Sequence, residues 1–170
     1  MGGYKWHTVL LLAALVVLHP FTTGWFTIAG VKPDVTLSFF LFTAFGKKGW
    51  APLVAGFATG LAYDFLYSRW IGMNLVIYLL AALLCVLLSK RIYRENLPGI
   101  ALFAFITVYL LKIIYLVLSQ GKLFFANLLF FQREVFQIAL YAGILCGFLS
   151  GGYLLLTAWK DGNARVRGRR

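Results

Sequence analysis

The sequence predicts an all-α, polytopic membrane protein with about six transmembrane helices. Three observations predict it. Apolar residues make up 62% of the 170-residue chain and its mean hydropathy is +0.86, outside the range of an ordinary soluble domain. Charged residues, 12% of the total, fall in short clusters between apolar runs. Aromatic residues reach 18%, with several Trp and Tyr near the ends of those runs, where membrane interfaces favour them. The formal net charge of +11 could suggest nucleic acid. Its basic residues sit where cytoplasmic loops carry them, so a membrane is the expected partner and nucleic acid is not.

Six segments follow in order. The first runs from about Trp6 to Thr22, with Pro20 ending or kinking it. It could pass for a signal peptide, but His19-Pro20 is a poor cleavage site and an uncleaved first helix is expected. The second opens at Pro33, a favoured first helical residue, with Asp34 in the first turn facing the positive helix end. It reaches Phe45 and is short, about 20 Å against a hydrocarbon core of about 30 Å. The third spans Trp50 to Ser68, the fourth Met73 to Ser89, the fifth Pro98 to Ser119 and the sixth Val135 to Trp159. No repeat or second domain is visible. Residues 1–170 read as one transmembrane domain, with a basic cytoplasmic tail over about 160–170 that is expected to be disordered.

Lys and Arg set the orientation. With the N-terminus in the cytoplasm, eleven of the sixteen fall inside, among them Lys47, Lys48, Lys90, Arg91, Arg94 and Arg165. Lys32, Arg69, Lys122 and Arg133 fall outside, and Lys112 lies within the fifth segment. The asymmetry predicts a multi-pass protein with both termini in the cytoplasm. The stretch Lys122 to Arg133 is apolar but too short to span. It reads either as an interfacial amphipathic helix or as an extension of a neighbouring helix.

Most chemistries are excluded. Gly147-Phe-Leu-Ser150-Gly151 resembles a buried serine nucleophile, which needs a base beside it. The two histidines, His7 and His19, belong to a distant segment. Asp161-Gly-Asn-Ala-Arg165 loosely matches the start of a CDP-lipid transferase motif, but the chain ends before further metal-binding aspartates. Asp34, Asp64, Glu95, Glu134 and Asp161 are scattered over both membrane sides and cannot converge. No phosphate loop or metal pattern occurs, and neither a cofactor nor a catalytic residue is expected. Cys85 and Cys146 read as small packing residues.

Helix association remains. Gly56, Gly60 and Asp64 recur every four residues, so a helix places them on one face. Gly-x-x-x-Gly lets a second backbone approach closely. The sixth segment repeats the pattern at Gly143, Gly147 and Gly151. These glycines could pack the third and sixth helices together or dock a partner. An aspartate within a membrane segment costs about 2.5–3.5 kcal/mol on insertion scales, so Asp64 is the first candidate for function. Its depth overlaps that of Lys112, which makes an Asp64–Lys112 ion pair one candidate. Snorkelling of Lys112, with a local hydrogen bond from Asp64 to Ser68 or the backbone, is the other.

The run Val31-Lys-Pro33-Asp34, Gly46-Lys-Lys-Gly49, Gly56-x-x-x-Gly60-x-x-x-Asp64, Ile71-Gly72 and Lys90-Arg91-x-x-Arg94 resembles the rod shape-determining protein MreD family. Glu134-Val-Phe136 is a weaker echo. Tyr67-Ser-Arg-Trp70, where the family often shows small residues, and Lys112 depart from its pattern. The resemblance implies a non-enzymatic scaffold of the cell-elongation machinery (the elongasome), working with MreC, the MreB cytoskeleton, RodA and a class B penicillin-binding protein in peptidoglycan synthesis. Gly72 joins the candidate packing or partner-binding residues through it. The family fold is similar to the six-helix substrate-binding subunits (S components) of energy-coupling vitamin transporters. Such a subunit is the alternative function, for which His19, Asn74, Tyr78 and Gln137 give a thin polar supply.

Overall fold

The computed structural model describes residues 6–25, 32, 34–45, 47, 49–68, 71–88, 96–120 and 128–167. Among these the chain is helical with no strand, in seven helices: α1 Trp6–Val17, α2 His19–Trp25, α3 Val35–Ala44, α4 Ala51–Tyr67, α5 Met73–Leu88, α6 Leu97–Gln120 and α7 Leu128–Arg167. Two stretches, Leu97–Gln120 and Phe130–Trp159, are long and apolar enough to cross a membrane by length and composition.

The first expected segment is broken into α1 and α2 at Leu18, because Pro20 lacks an N–H for the helix ladder. Asp34 is the N-cap of α3 and not a first-turn residue: its carboxylate accepts from the Leu37 amide at 3.0 Å. Pro33 lies outside the described residues, as do the Lys90–Arg94 cluster and residues 121–127. The last segment is extended at both ends. Residues 128–133 belong to α7 and so extend a neighbouring helix, and that helix continues to Arg167, where the sequence predicts a disordered tail.

Why α3 lies at the centre follows from its sequence. Val35-Thr-Leu-Ser-Phe-Phe-Leu-Phe-Thr-Ala44 has no polar face, so the helix is stable only when covered on all sides. Leu37, Phe40 and Ala44 are fully buried, and every other helix packs against it. The flanking helices form two antiparallel pairs. Gly56 of α4 lies against Tyr78 and Ala82 of α5, while Gly60 meets Asn74 and Leu75. Gly143 of α7 meets Ala101 and Phe105 of α6, and Gly151 approaches Leu97. The outer surface is apolar around the bundle, with Leu10, Phe57, Phe65, Leu102, Ile106 and Phe148 exposed. Such a surface suits lipid and not water.

Candidate functional site

Asp64 lies one turn before the end of α4 and is 1% exposed. Its carboxylate is aimed at the start of α5, where the first backbone amides have no helical partner. Oδ2 accepts from Gly72 N and Leu75 N, both at 2.9 Å. Oδ1 accepts from Asn74 N at 3.0 Å and from Asn74 Nδ2 at 3.1 Å. Asn74 Nδ2 also donates to Ser68 Oγ. Four donors fill the four lone-pair positions of a carboxylate. Asp64 is thus a remote cap that staples α5 to α4. Gly72, at φ +105°, holds the connecting turn in a conformation that L side chains rarely adopt.

The expected Asp64–Lys112 pair is corrected. Lys112 Nζ lies 2.8 Å from Asp34 Oδ2, and Asp34 already caps α3 through its other oxygen. Depth explains the exchange. Lys112 is eight residues from the end of α6, about 12 Å along the axis. Asp64 is three residues from the end of α4, about 5 Å. A ten-residue α3 is too short to reach both ends of the bundle, so its N-terminus sits at the level of Lys112. The two side chains are 15% and 25% exposed, and Tyr115 adds a ring 5.8 Å from the ammonium.

Around this pair the aromatic residues of four helices meet. His19 stands edge-on to Tyr63 at 4.7 Å, Tyr63 contacts Tyr78 at 5.8 Å, and Tyr78 packs against Phe40 at 5.4 Å. Tyr67 Oη donates to Val17 O at 2.8 Å, tying α4 to the end of α1. Tyr63 and Tyr67 were missed in the sequence reading. Their i, i+4 spacing on the helix of Asp64 was the available signal. Of the four polar residues suggested for a substrate cavity, Asn74 is part of the Asp64 staple, Tyr78 is core, and His19 joins the aromatic cluster. Gln137 is half-buried on α7.

The glycines are used within the chain. A Cβ at Gly56 would lie 2.8 Å from Tyr78 O, and one at Gly60 2.7 Å from Leu75 Cα, so both face α5. A Cβ at Gly143 would lie 3.0 Å from Ala101 O. Gly147 and Gly151 are looser, at 3.6 Å from Ala101 Cβ and 4.0 Å from Leu97 Cδ1. Packing of the third expected segment on the sixth is therefore corrected: α4 pairs with α5 and α7 with α6, each pair filling its own grooves. Ser150 is buried, and its Oγ has no hydrogen-bond partner among the described residues.

Among the described residues the chain is an all-helical bundle with an apolar exterior, in which Asp34 and Asp64 cap and staple helices, as suits a membrane protein. The sequence pattern of the rod shape-determining protein MreD matches residues 3–155 of the 170. The chain belongs to the MreD family, and with it to the membrane proteins of rod-shape determination. No curated protein and no solved structure matches it.

Proposed function

We propose that the chain is a non-enzymatic, multi-pass scaffold of the bacterial inner membrane that binds MreC and couples it to lateral peptidoglycan synthesis. RodA, the class B penicillin-binding protein and MreB would be its further partners, direct or indirect. Both termini face the cytoplasm, and the six segments make up one membrane domain, the short second one enclosed by the other helices. The observation that carries this reading is the Asp64 staple. A carboxylate with every acceptor position filled by internal donors has no capacity for proton transfer, and what it fixes is the outer α4–α5 turn. Beside that turn Phe65, Leu66 and Ile71 are exposed, an apolar surface suited to a partner's membrane helix. Gly56, Gly60, Asp64 and Gly72 thus act by shaping the docking surface. A vitamin-binding subunit would need a cavity with convergent polar groups, whereas Asn74 is taken up by Asp64 and Ser68.

The test is co-purification of MreC with Gly60→Leu and Asp64→Leu chains that insert at wild-type levels. Ile71→Glu, which leaves the staple intact, serves as the surface variant. Loss of MreC from all three is expected. Undiminished MreC on all three would end the docking role.

A further inference from the structure

Tyr63 directly precedes Asp64 on α4, and Tyr78 follows Asn74 by one turn on α5, so both lie near the depth of the Asp64 staple. Neither joins it. Tyr78 is 2% exposed and Tyr63 7%, and their rings meet at 5.8 Å. Both phenol oxygens are buried without a hydrogen-bond partner. The Thr36 hydroxyl near Tyr63 is itself turned to Leu15 O, at 3.4 Å. A buried phenol usually finds a partner, because an unpaired hydroxyl forfeits the hydrogen bonds it made in water. Two such groups on helices in contact point to a partner that they share.

What lies between them and α6 is the Asp34–Lys112 pair. The Asp34 carboxylate is within electrostatic reach of both phenols. Tyr63 is also within reach of Tyr115, whose ring stands 5.8 Å from Lys112 Nζ. Although Lys112 is deep in the bundle, 15% of the Asp34 side chain and 25% of its own remain open to a water-sized sphere. Space is thus left beside the charges, and so is hydrogen-bonding capacity. Asp34 accepts one bond at each oxygen, from Leu37 N and from Lys112 Nζ, where a carboxylate has about four positions.

Charge and size select the occupant. An added cation would meet Lys112 and an added anion Asp34, so a neutral molecule is favoured. It must donate to a carboxylate and pair with phenols, in an opening of little more than molecular size. Water fits these terms. Buried waters typically make about three hydrogen bonds to groups otherwise unpaired, and Asp34, Tyr63 and Tyr78 supply that number.

We propose that one water molecule is bound beside the Asp34–Lys112 pair and bridges the Asp34 carboxylate to the Tyr63 and Tyr78 hydroxyls, the enclosed rings shifting to meet it. This water ties the α4–α5 hairpin to α3 and α6, apart from the Asp64 carboxylate. The site depends neither on a partner protein nor on which end of the bundle faces the cytoplasm.

Solid-state NMR of the full chain in lipid bilayers, with tyrosine Cζ and phenylalanine rings isotope-labelled and magnetisation started on water, tests the site directly. Phe40 is fully buried against Tyr78, at 5.4 Å, and sets the rate for burial alone. Magnetisation is expected to reach Tyr63 and Tyr78 Cζ several-fold sooner than the Phe40 ring. Arrival at Tyr78 no sooner than at Phe40 overturns the site. Tyr78→Phe, unfolded by SDS in mixed micelles, gives an independent reading, since the alternatives differ in sign. Loss of a hydroxyl that holds a water should raise the unfolding constant about fivefold, whereas loss of an unpaired one leaves it unchanged or lowers it. A Tyr78→Phe chain at least as stable as the wild type therefore overturns the bridge. Should that variant fail to insert, the wild-type NMR measurement decides alone.

Discussion

Gly60→Ala is the sharpest probe of the α4–α5 contact. The added Cβ would lie 2.7 Å from Leu75 Cα and 3.0 Å from Asn74 O, backbone atoms that cannot rotate away. To reach an ordinary contact of 3.4 Å the start of α5 must retreat by about 0.7 Å. The same displacement would lengthen the 2.9 Å bonds from Gly72 and Leu75 to Asp64 beyond hydrogen-bonding range. Overpacking costs about 1–3 kcal/mol. Each hydrogen bond to a charged group is worth about 1.5–3 kcal/mol where it is lost outright. Alanine returns about 1 kcal/mol of helix propensity. Together these terms predict a net loss of at least about 3 kcal/mol. Gly152→Ala is the control, since a Cβ there meets nothing within 4 Å and the variant should be neutral or gain up to about 1 kcal/mol. Unfolding of both in mixed micelles by SDS titration, followed by circular dichroism, reads the difference. A Gly60→Ala chain as stable as Gly152→Ala would refute the argument that backbone contact, and not mere glycine content, joins these helices.

Removing one member of the Asp34–Lys112 pair should cost more than removing both charges. Lys112→Met is expected to lose about 3 kcal/mol in the same titration, and Asp34→Asn with Lys112→Met to recover part of it, because Asn still caps α3. Equal losses from the single and double variants would show that the pair does not couple. Cys85 and Cys146 are fully buried, and the Cys146 thiol lies 3.2 Å from Ser38 O. N-ethylmaleimide should therefore label neither in the folded protein and both after SDS unfolding, as mass shifts will read; rapid labelling of Cys146 in the native state would contradict its packing against α3.

The sequence located the helices because apolar runs and Pro20 are local signals. It also showed which residues share a face: Gly56, Gly60 and Asp64 do lie together on α4. Which helix that face meets depends on tertiary packing, which a spacing cannot express, and so α5 and not the sixth expected segment receives the glycines. Lys112 shows the same limit in depth. Measuring from segment ends assumes that all helices begin level, whereas α3 is sunk because its apolar sequence needs cover all round. Asp34 before Val35-Thr-Leu was readable as an N-cap, but its second oxygen found Lys112 only through the fold. The end of α7 was illegible for another reason: a 40-residue helix that leaves the apolar span has no hydrophobic period to mark where it stops.

The two aspartates also differ in when they can find their partners. The donors to Asp64 are eight to eleven residues further along the chain, so the α4–α5 hairpin can close and shield its carboxylate as soon as α5 emerges from the ribosome. Asp34 must wait for a lysine 78 residues away. Until α6 is made, α3 lacks its counter-ion. A chain truncated before Lys112 is therefore expected to keep its α4–α5 pair while leaving α3 without its electrostatic latch.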